Sequence, residues 1–542
     1  MDKDSTTTFR GNDRILFGFI CGLLSFWLFA MTLLNVRGEM NADLGLSPSL
    51  LNLAVSVTSL VCGILIVLIG GLGDRLGHTR MTRLGLILAI VGAVLIALTP
   101  GHSPLTAPIL LLGRICQGLS GACVMPSTLA LLRVFWDEKG RQRAISLWSM
   151  GTWGGTAFSS LLGGYMTQWL SWRWIFWLAA AVALLGLFLI RTLPYYRPGS
   201  DAKGGRDIPG IATLILGIVS LQLYVTEGPQ WGWVDVKSLG LLLTATIFIL
   251  LFIGIERGAK HPFLDLRVFR NPVYSGATVA NFLLNASTGI IIIVSSLLQL
   301  VSGVPVAQVG LMSIGYGVSI LLFIRVGEKL MQRYGARLPM LLSCGTVAVA
   351  LCLLLPTNVM AGTYMTLVVI AYSLFGAGLG LFATASTDSA LATLPESRTG
   401  IGSGIFKMAS SLGSSFGIAI STAIFQDIAY SAEPVTLLSQ VVTFVGRQDN
   451  VTIRQGAMAA YLYNLIIIVI SFAVIYYSIP KGQGKTMVAS KEQGRITPHC
   501  AKRDTESVYP SPYRLCPGAE DMNYRLFCQI LPLRSRHTPT ER

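Results

Sequence analysis

Residues 70–83 read GGLGDRLGHTRMTR and lie between two apolar runs, LLNLAVSVTSLVCGILIVLIG and LGLILAIVGAVLIALT. Each run is long enough to cross a bilayer as a helix, so the polar stretch is a turn at one membrane face. The turn carries the cations Arg75, Arg80 and Arg83, the anion Asp74, and glycines that let helix ends approach closely. The positive-inside rule alone would explain such a basic turn. Asp74 beside Arg75 also offers a charge pair that could hold neighbouring helices together.

The overall composition is that of a membrane protein. The 542 residues are 52% hydrophobic and 12% charged, whereas ordinary soluble domains carry about twice that charged fraction. The net charge of +15 could indicate nucleic-acid binding. The cations, however, lie mostly in turns between apolar runs, which indicates membrane topology instead. We therefore expect an all-α integral membrane protein that contacts the lipid bilayer and no nucleic acid.

Fourteen apolar segments of spanning length follow one another along the chain. They cover residues 15–35, 50–71, 83–99, 108–132, 144–165, 172–191, 208–226, 238–255, 273–300, 306–326, 337–355, 364–387, 401–425 and 458–479. The turns after even-numbered segments carry most of the lysines and arginines, and those after odd-numbered segments are nearly free of them. By the positive-inside rule, both termini are expected in the cytoplasm. The polar tail 481–542 is expected to be disordered.

The sequence shows no pattern typical of an enzyme or a metal site. Its 9 cysteines have no metal-ligand spacing, and it contains no phosphate-binding loop. We therefore expect no cofactor, no metal and no catalytic activity. His78, within the turn at 70–83, is expected to be a polar surface residue rather than a proton relay.

The turn at 70–83 resembles the signature between helices 2 and 3 of the major facilitator superfamily. The matching pattern is Gly70-x-Leu72-Gly73-Asp74-Arg75-x-Gly77. A weaker copy, VGEKLMQRYGARLP, occupies residues 326–339, with Gln332 where the first copy has Asp74. Two copies of one turn fit a transporter built from parallel repeats, although a generic basic turn would look similar.

Arg114 is the most informative single residue, because it lies inside the fourth apolar segment. A cation there costs about 2.5–3.5 kcal/mol on membrane-insertion scales. It either extends to water at the interface or faces an internal cavity, where it could control proton release from a carboxylate or meet an anionic substrate. Leu110-x-x-x-Arg114-x-x-Gln117-Gly118 resembles the fourth-helix signature of proton-linked facilitators, which favours the cavity and gives Gln117 a role beside Arg114.

Small residues recur every four positions in the fifth segment, at Gly151, Gly155, Ser159 and Gly163. Such a stripe permits close helix–helix packing. Its position matches the antiporter signature of drug exporters, which ends here in Gly163-Gly164. The usual Gly-Pro of that signature is replaced by Ser159-Ser160, which puts the kink ascribed to it in doubt.

A second departure concerns the acid that carries the proton. Related antiporters have an Asp in the first helix shortly before an Asn-Val pair, and this chain has Ala30 at the matching position. The remaining candidate acids are Glu39, Asp74 and Asp388. Asp388 and Lys407 could form a pair near the cytoplasmic side, either for coupling or as a purely structural ion pair.

Several further stretches resemble the 14-span drug:proton antiporter branch, in particular the NorB-type quinolone and multidrug pumps. They are FWLFA (residues 26–30), RQRAISLWSMGTWGG (141–155), SWRWIFWL (171–178) and KMASSLGSSFG (407–417). The resemblance implies the major facilitator fold, with two six-helix bundles and two extra central helices. The expected parts are a cytoplasmic N-terminus (1–14), a first bundle (15–191), a linker with the extra helices (192–271), a second bundle (272–480) and the tail (481–542).

The resemblance implies a proton-coupled exporter of amphiphilic drugs, quinolones among them, in the bacterial inner membrane and as a monomer. Candidate cavity residues are Phe26, Trp27, Trp148, Trp153 and Asn281. Candidate coupling and gating residues are Arg114, Asp74, Arg75, Gln117, Asp388 and Lys407. The alternatives are a dedicated exporter of one compound, such as a tetracycline or a metabolite, and a membrane-embedded sensor or enzyme.

Overall fold

The structure is a computed structural model. It describes residues 9–30, 32–33, 36–46, 48–196, 208–258, 266–395, 399–431, 434–435 and 450–482. The chain divides into two units, Met1–Ala489 and Ser490–Arg542, and the second lies wholly outside the described residues. Of the tail predicted to be disordered (481–542), residues 483–542 lie outside the described residues.

The described residues form helices and turns, with no strand among them. The helices are α1 (Asp13–Leu24, continued by a π-helix at Ser25–Ala30), α2 (Arg37–Leu44), α3 (Pro48–Leu76), α4 (His78–Ala97), α5 (Thr106–Phe135), α6 (Glu138–Trp169), α7 (Trp172–Leu189), α8 (Ile208–Trp231), α9 (Val236–Gly258), α10 (Pro272–Ala286), α11 (Gly289–Ser302), α12 (Val306–Met312), α13 (Ile314–Tyr334), α14 (Arg337–Leu354), α15 (Ala361–Ala392), α16 (Thr399–Ala429) and α17 (Val451–Ser478). Short 3₁₀ turns occur at Ile190–Thr192 and Leu266–Arg270.

Local sequence explains where several helices begin. The side chain of Asn12 accepts a hydrogen bond from the amide of Ile15 at 3.0 Å and so caps α1. Asp137 caps α6 through the amide of Gly140 at 2.9 Å. Asn271 caps α10, and the proline that follows it has the backbone angle a first helical turn requires. These caps fix the entry of three helices at one face of the protein.

Twelve stretches of the described chain are long and apolar enough to cross a membrane. They correspond to twelve of the fourteen predicted segments. The other two predicted segments, 144–165 and 208–226, lie in α6 and α8. Helix α6 is rich in glycine, serine and threonine, and the apolar part of α8 is only Pro209–Val225. The all-helical membrane class is confirmed, while the count of fourteen spans stays a prediction.

The helices pack as two bundles. Helices α1 and α3–α7 contact one another in the first bundle, and α10–α17 in the second. Helices α8 and α9 form a hairpin, and α8 contacts both α3 and α16. The predicted domain limits at 191, 271 and 480 stay predictions.

The two bundles meet along a seam made by two helix crossings, α3 against α16 and α6 against α13. In both crossings the second span of one bundle contacts the fifth span of the other, as two parallel repeats would place them. The turns between α3 and α4 and between α13 and α14 also match. Each contains a glycine with positive φ, Gly77 at 99° and Gly335 at 84°, where a side chain would be strained.

Candidate functional site

Asp74 connects the two bundles at the membrane face that carries the cationic turns, which we call the cationic face. Its two carboxylate oxygens accept hydrogen bonds from the backbone amides of Gly400 at 2.9 Å and Ile401 at 3.0 Å. These amides lie in the first turn of α16, where helical N–H groups have no partner within the helix. A carboxylate there also meets the positive end of the helix dipole. Asp74 is 5% exposed, so little solvent weakens this contact.

The structure corrects the prediction for His78. It is fully buried, with 0% of its surface exposed, rather than at the surface. Its Nε2 lies 2.9 Å from Oδ1 of Asp74, and its ring stacks against Tyr196 at 6.5 Å between centroids. Sequence reasoning failed here because it treated the whole polar turn as exposed, whereas α16 and residues 193–196 cover this part of it.

Two glycines allow the close approach of α3 and α16 beside Asp74. A Cβ atom at Gly70 would lie 2.4 Å from the carbonyl oxygen of Gly400, and one at Gly400 would lie 2.3 Å from that of Gly70. Both glycines are therefore needed for the observed contact. Sequence analysis had identified Gly70 and missed Gly400, although the glycine-rich stretch TGIGSG at residues 399–404 carried a signal.

Asp388 takes part in a second contact between the bundles at the cationic face. The Nε of Arg141 donates to its Oδ1 at 2.8 Å, and the Nε2 of Gln142 donates to its Oδ2 at 3.3 Å. Arg141 and Gln142 belong to α6, and Asp388 belongs to α15. Nearby, Arg133 of α5 donates to the hydroxyl of Thr399 at 3.4 Å. The suggested direct pair between Asp388 and Lys407 is wrong, because Arg141 occupies that position.

Lys407 instead contacts aromatic rings. Its Nζ lies 4.4 Å from the ring centroid of Trp148 and 5.7 Å from that of Phe406. Trp148 is fully buried in α6, and its Nε1 donates to the hydroxyl of Thr128 at 2.9 Å. A cation over an indole ring is favourable by about 0.5–2 kcal/mol, depending on how far it is desolvated. Lys407 on α16 thus adds a further link between the bundles.

Arg114 is buried inside the first bundle, with 1% of its surface exposed. Its Nε donates to the carbonyl of Ala54 at 2.8 Å, and its Nη1 donates to the carbonyl of Ala30 at 2.9 Å and to Oε1 of Gln117 at 2.6 Å. Arg114 therefore connects α5 with α3 and with the π-helix. Within the described part of the chain, all its hydrogen-bond acceptors are neutral groups. Interface exposure, one of the two alternatives, is wrong.

Ala30 ends the π-helix and lies directly beside this cation. The last carbonyl groups of a helix lack partners within it, and the guanidinium of Arg114 supplies one for Ala30. π-Helical turns are rare and are often found at functional sites. Ala30 supplies no carboxylate, and the acceptors described for the guanidinium are two backbone carbonyls and the amide oxygen of Gln117.

The stripe of small residues on α6 faces the first helix of the chain. A Cβ atom at Gly151 would lie 3.1 Å from the side chain of Ile20, and one at Gly155 would lie 3.1 Å from the backbone nitrogen of Leu28. The carbonyl of Ser159 accepts a hydrogen bond from Thr32 at 3.2 Å. Gly163 is buried, and the surroundings of Gly164 lie outside the described residues. The stripe thus lies along α1 and the π-helix.

The predicted cavity residues lie in different surroundings. Phe26 is buried and packs edge-on against Trp27 at 5.1 Å between ring centroids. Trp27 and Trp153 are partly buried. Asn281 is buried in the second bundle, where its Nδ2 donates to the carbonyl of Phe406 at 2.9 Å and to the hydroxyl of Ser410 at 2.6 Å. Asn281 and Trp148 are therefore held by neighbouring side chains and backbone.

At the face opposite the cationic face, the described polar contacts stay within one bundle. Asp43 contacts Arg173 and accepts from the Nε1 of Trp172 at 3.0 Å, all within the first bundle. Arg454 donates to the carbonyls of Thr357 at 2.5 Å and Val359 at 3.2 Å, within the second bundle. The polar links between bundles thus concentrate at the cationic face.

Comparisons with known proteins agree with this architecture. Residues 15–418 match the family model described as Major Facilitator Superfamily. The chain is 38% identical over 485 residues to the quinolone resistance protein NorB of Staphylococcus aureus, covering 89% of this chain and 99% of that protein. The fold is similar to that of the proton:xylose symporter XylE, with a TM-score of 0.59 and 14% identity over 87% of this chain and 97% of the other. It is also similar to that of the human organic anion transporter MFSD10, with a TM-score of 0.56 and 14% identity over 88% of this chain and 100% of the other.

Proposed function

Since this chain belongs to the major facilitator superfamily, we propose that it is a proton-coupled exporter of amphiphilic drugs, including quinolones. It is a multi-pass membrane transporter and not an enzyme. The substrate class follows from the relative with 38% identity, which is a quinolone resistance protein. The chain covers 99% of that relative, so the resemblance extends over a whole transporter.

The observation that carries the proposal is that the bundles are linked at one membrane face. At the cationic face, Asp74 holds α16, and Arg141 holds Asp388. At the opposite face, the contacts described above for Asp43 and for Arg454 each join parts of one bundle. This is the arrangement of a transporter that opens to one side at a time by movement of one bundle against the other. Breaking the seam at the cationic face would open the protein to that side.

We assign the cationic face to the cytoplasm of a bacterial cell, in the inner membrane, by the positive-inside rule. Both termini then lie inside the cell, and the described conformation is the one closed at the cytoplasmic face. In this assignment, four residues act in gating. Asp74, Asp388 and Lys407 connect the bundles, and Arg75 lies half-buried beside Asp74. We further propose fourteen spans and a monomer.

Arg114 and Gln117 are proposed to act in proton coupling. A guanidinium in the membrane interior is costly, and such residues mark ion and proton pathways. Position 30 supplies no carboxylate here, so the proton must be carried by another acid. Asp74 and Asp388 lie at the seam and change partners when the bundles separate, which makes them better placed than Glu39, an exposed residue of α2.

Transport in everted membrane vesicles tests the proposal. Uptake of a fluorescent fluoroquinolone should require a pH gradient with the vesicle interior acidic. It should stop when that gradient is collapsed. Uptake that is unaffected by the gradient would contradict proton coupling. A panel with a tetracycline and a lipophilic dye distinguishes a multidrug exporter, which takes up several unrelated compounds, from a dedicated exporter, which takes up one.

A further inference from the structure

Two arginines from different helices share one aromatic ring at the cationic face. Arg14 lies in the first turn of α1, and its Cζ is 5.5 Å from the ring centroid of Phe188. Arg191 lies in the 3₁₀ turn that follows α7, and its Cζ is 4.4 Å from the same centroid. The two guanidinium carbons are therefore at most about 10 Å apart, and like charges at this distance repel more strongly beside a membrane than in bulk water.

The charges of this pair are not balanced by acidic side chains. Within the described part of the chain, neither Arg14 nor Arg191 forms an ion pair with a carboxylate. Asp13, the acid next to Arg14 in the sequence, instead pairs with Arg143 at 2.9 Å. Arg14 and Arg191 are both exposed, so they present their positive charge to the surroundings of the protein.

Arg83 of α4 adds a third positive charge at this position. Its Nη2 donates to the carbonyl of Arg191 at 3.4 Å and to that of Leu193 at 3.0 Å. These carbonyls follow the end of α7, and the negative end of a helix would otherwise offset a nearby cation. Because Arg83 binds them, they do not balance Arg14 and Arg191. Arg83 itself has no carboxylate partner among the residues that the structure describes.

The surface of α7 beside the shared ring is apolar and exposed. Leu184, Leu185 and Phe188 are 58%, 50% and 51% exposed, and their spacing places them on one side of the helix. They belong to the candidate span Trp172–Thr192, so this side of α7 faces lipid chains. Arg191 lies at the end of the same span. The arginines therefore lie at the depth where acyl chains end and lipid headgroups begin.

We propose that Arg14, Arg83 and Arg191 bind the headgroup of an anionic phospholipid in the leaflet at the cationic face. A guanidinium matches the oxygens of a phosphate with two parallel hydrogen bonds. A phosphodiester between Arg14 and Arg191 offsets their repulsion, while its acyl chains lie along the exposed side of α7. A zwitterionic lipid has the same phosphate but no net charge, so a lipid with net negative charge binds more tightly. The bound lipid joins the ends of α1, α4 and α7 within the first bundle.

Native mass spectrometry of the full chain tests this site. The protein is purified in detergent, delipidated, and titrated with phosphatidylglycerol or with phosphatidylcholine of the same acyl chains. Each arginine near an anionic headgroup contributes about fivefold in affinity, so Arg14→Gln/Arg191→Gln should weaken phosphatidylglycerol binding by about 25-fold and leave phosphatidylcholine binding nearly unchanged.

Arg337→Gln is the matched control. Arg337 also lies at the cationic face over one ring, 4.3 Å from the centroid of Tyr476, but no second guanidinium shares that ring among the described residues. Its replacement removes the same charge and the same kind of ring contact. It should change the affinity for phosphatidylglycerol by less than about twofold, since a single charge far from the headgroup is screened by salt.

Several results would overturn the lipid site. Equal binding of phosphatidylglycerol and phosphatidylcholine by the unaltered chain is one, and equal losses in Arg337→Gln and the double variant are another. Glycerol 3-phosphate in large excess should not displace phosphatidylglycerol, and displacement would indicate a site for free phosphate compounds instead. If the double variant aggregates during size-exclusion chromatography, Arg14→Gln and Arg191→Gln alone should each weaken binding by about fivefold. No loss in either would then contradict the proposal.

Discussion

Gly400→Ala should open the seam at the cationic face without removing any charge. The new Cβ would lie 2.3 Å from the carbonyl oxygen of Gly70, 2.6 Å from Cε1 of His78 and 2.7 Å from Oδ1 of Asp74. The Gly70 oxygen belongs to the backbone of α3 and cannot rotate away, so α3 and α16 must separate. All these clashes occur only when the face is closed.

The expected size of the increase in the open fraction follows from the energetic cost of overpacking. Inserting a methyl group into a well-packed contact costs about 1–3 kcal/mol. Every 1.4 kcal/mol changes an equilibrium constant tenfold, so the open fraction should increase by about 5- to 150-fold. The higher helix propensity of alanine, about 1 kcal/mol over glycine, is present in both conformations and cancels in this ratio. Opening can be measured with Ser403→Cys in a chain whose native cysteines are replaced, because Ser403 is buried on the seam, where its hydroxyl donates to the carbonyl of Pro126 at 3.2 Å. In everted vesicles, which present the cationic face to a membrane-impermeant maleimide, the labelling rate of this cysteine should rise by the same factor while the closed form still predominates.

Gly63→Ala is the matched control on the same seam. Gly63 lies on α3 and faces α16, but its new Cβ would lie 3.8 Å from the hydroxyl of Ser411, an ordinary van der Waals distance. It should change the labelling rate by less than about twofold, since no atom has to move. The reasoning is refuted if Gly400→Ala leaves labelling unchanged, or if both alanines increase it equally.

Three further outcomes are expected. Arg114→Met should abolish gradient-driven fluoroquinolone uptake while the protein remains in the membrane by immunoblotting, because its buried acceptors lose their donors; normal uptake would argue against a coupling role. Asp388→Asn should raise labelling at position 403 by about tenfold or more, since removing one partner of a largely buried ion pair costs more than the roughly 1 kcal/mol upper limit for exposed pairs. Arg141→Gln should raise labelling to the same extent, and the Asp388→Asn/Arg141→Gln double variant should show no additional increase. If the effects of the two substitutions on labelling were simply additive, the two residues would act separately. Single cysteines replacing the exposed Arg80 and Leu105 should be labelled from opposite sides, Arg80 from the cytoplasm, and the reverse would invert the proposed orientation.

The sequence predicted the parts of the fold that depend on local chemistry. Runs of about 20 apolar residues are properties of short segments, so twelve of the fourteen predicted spans coincide with long apolar helices of the structure. The glycines of the turn at 70–83 were recognised as residues that let helix ends approach closely, and the structure adds that Gly77 has a φ of 99°, which only glycine readily adopts. The weaker copy at Gly335 has the same kind of geometry, with φ of 84°.

The prediction failed where partners come from distant parts of the chain. Asp74 was expected to hold neighbouring helices through a charge pair with Arg75, whereas its described partners are His78 and the backbone amides of Gly400 and Ile401, and backbone amides carry no residue-specific signal. Asp388 and Lys407 were paired because both were expected near the cytoplasmic side of consecutive segments. In the folded chain, Asp388 instead pairs with Arg141, and Lys407 lies over the ring of Trp148. Burial is also set by the assembled helices and not by the local pattern.

The anchoring of Arg114 through carbonyl oxygens has a consequence for how such transporters diversify. The carbonyls of Ala30 and Ala54 belong to the main chain, so any side chain that fits at these positions leaves both acceptors intact. The guanidinium can therefore stay fixed while residue 30 exchanges a carboxylate for a methyl group. A lineage can gain or lose an acid beside this cation in a single step, and the scaffold that holds the arginine survives the change.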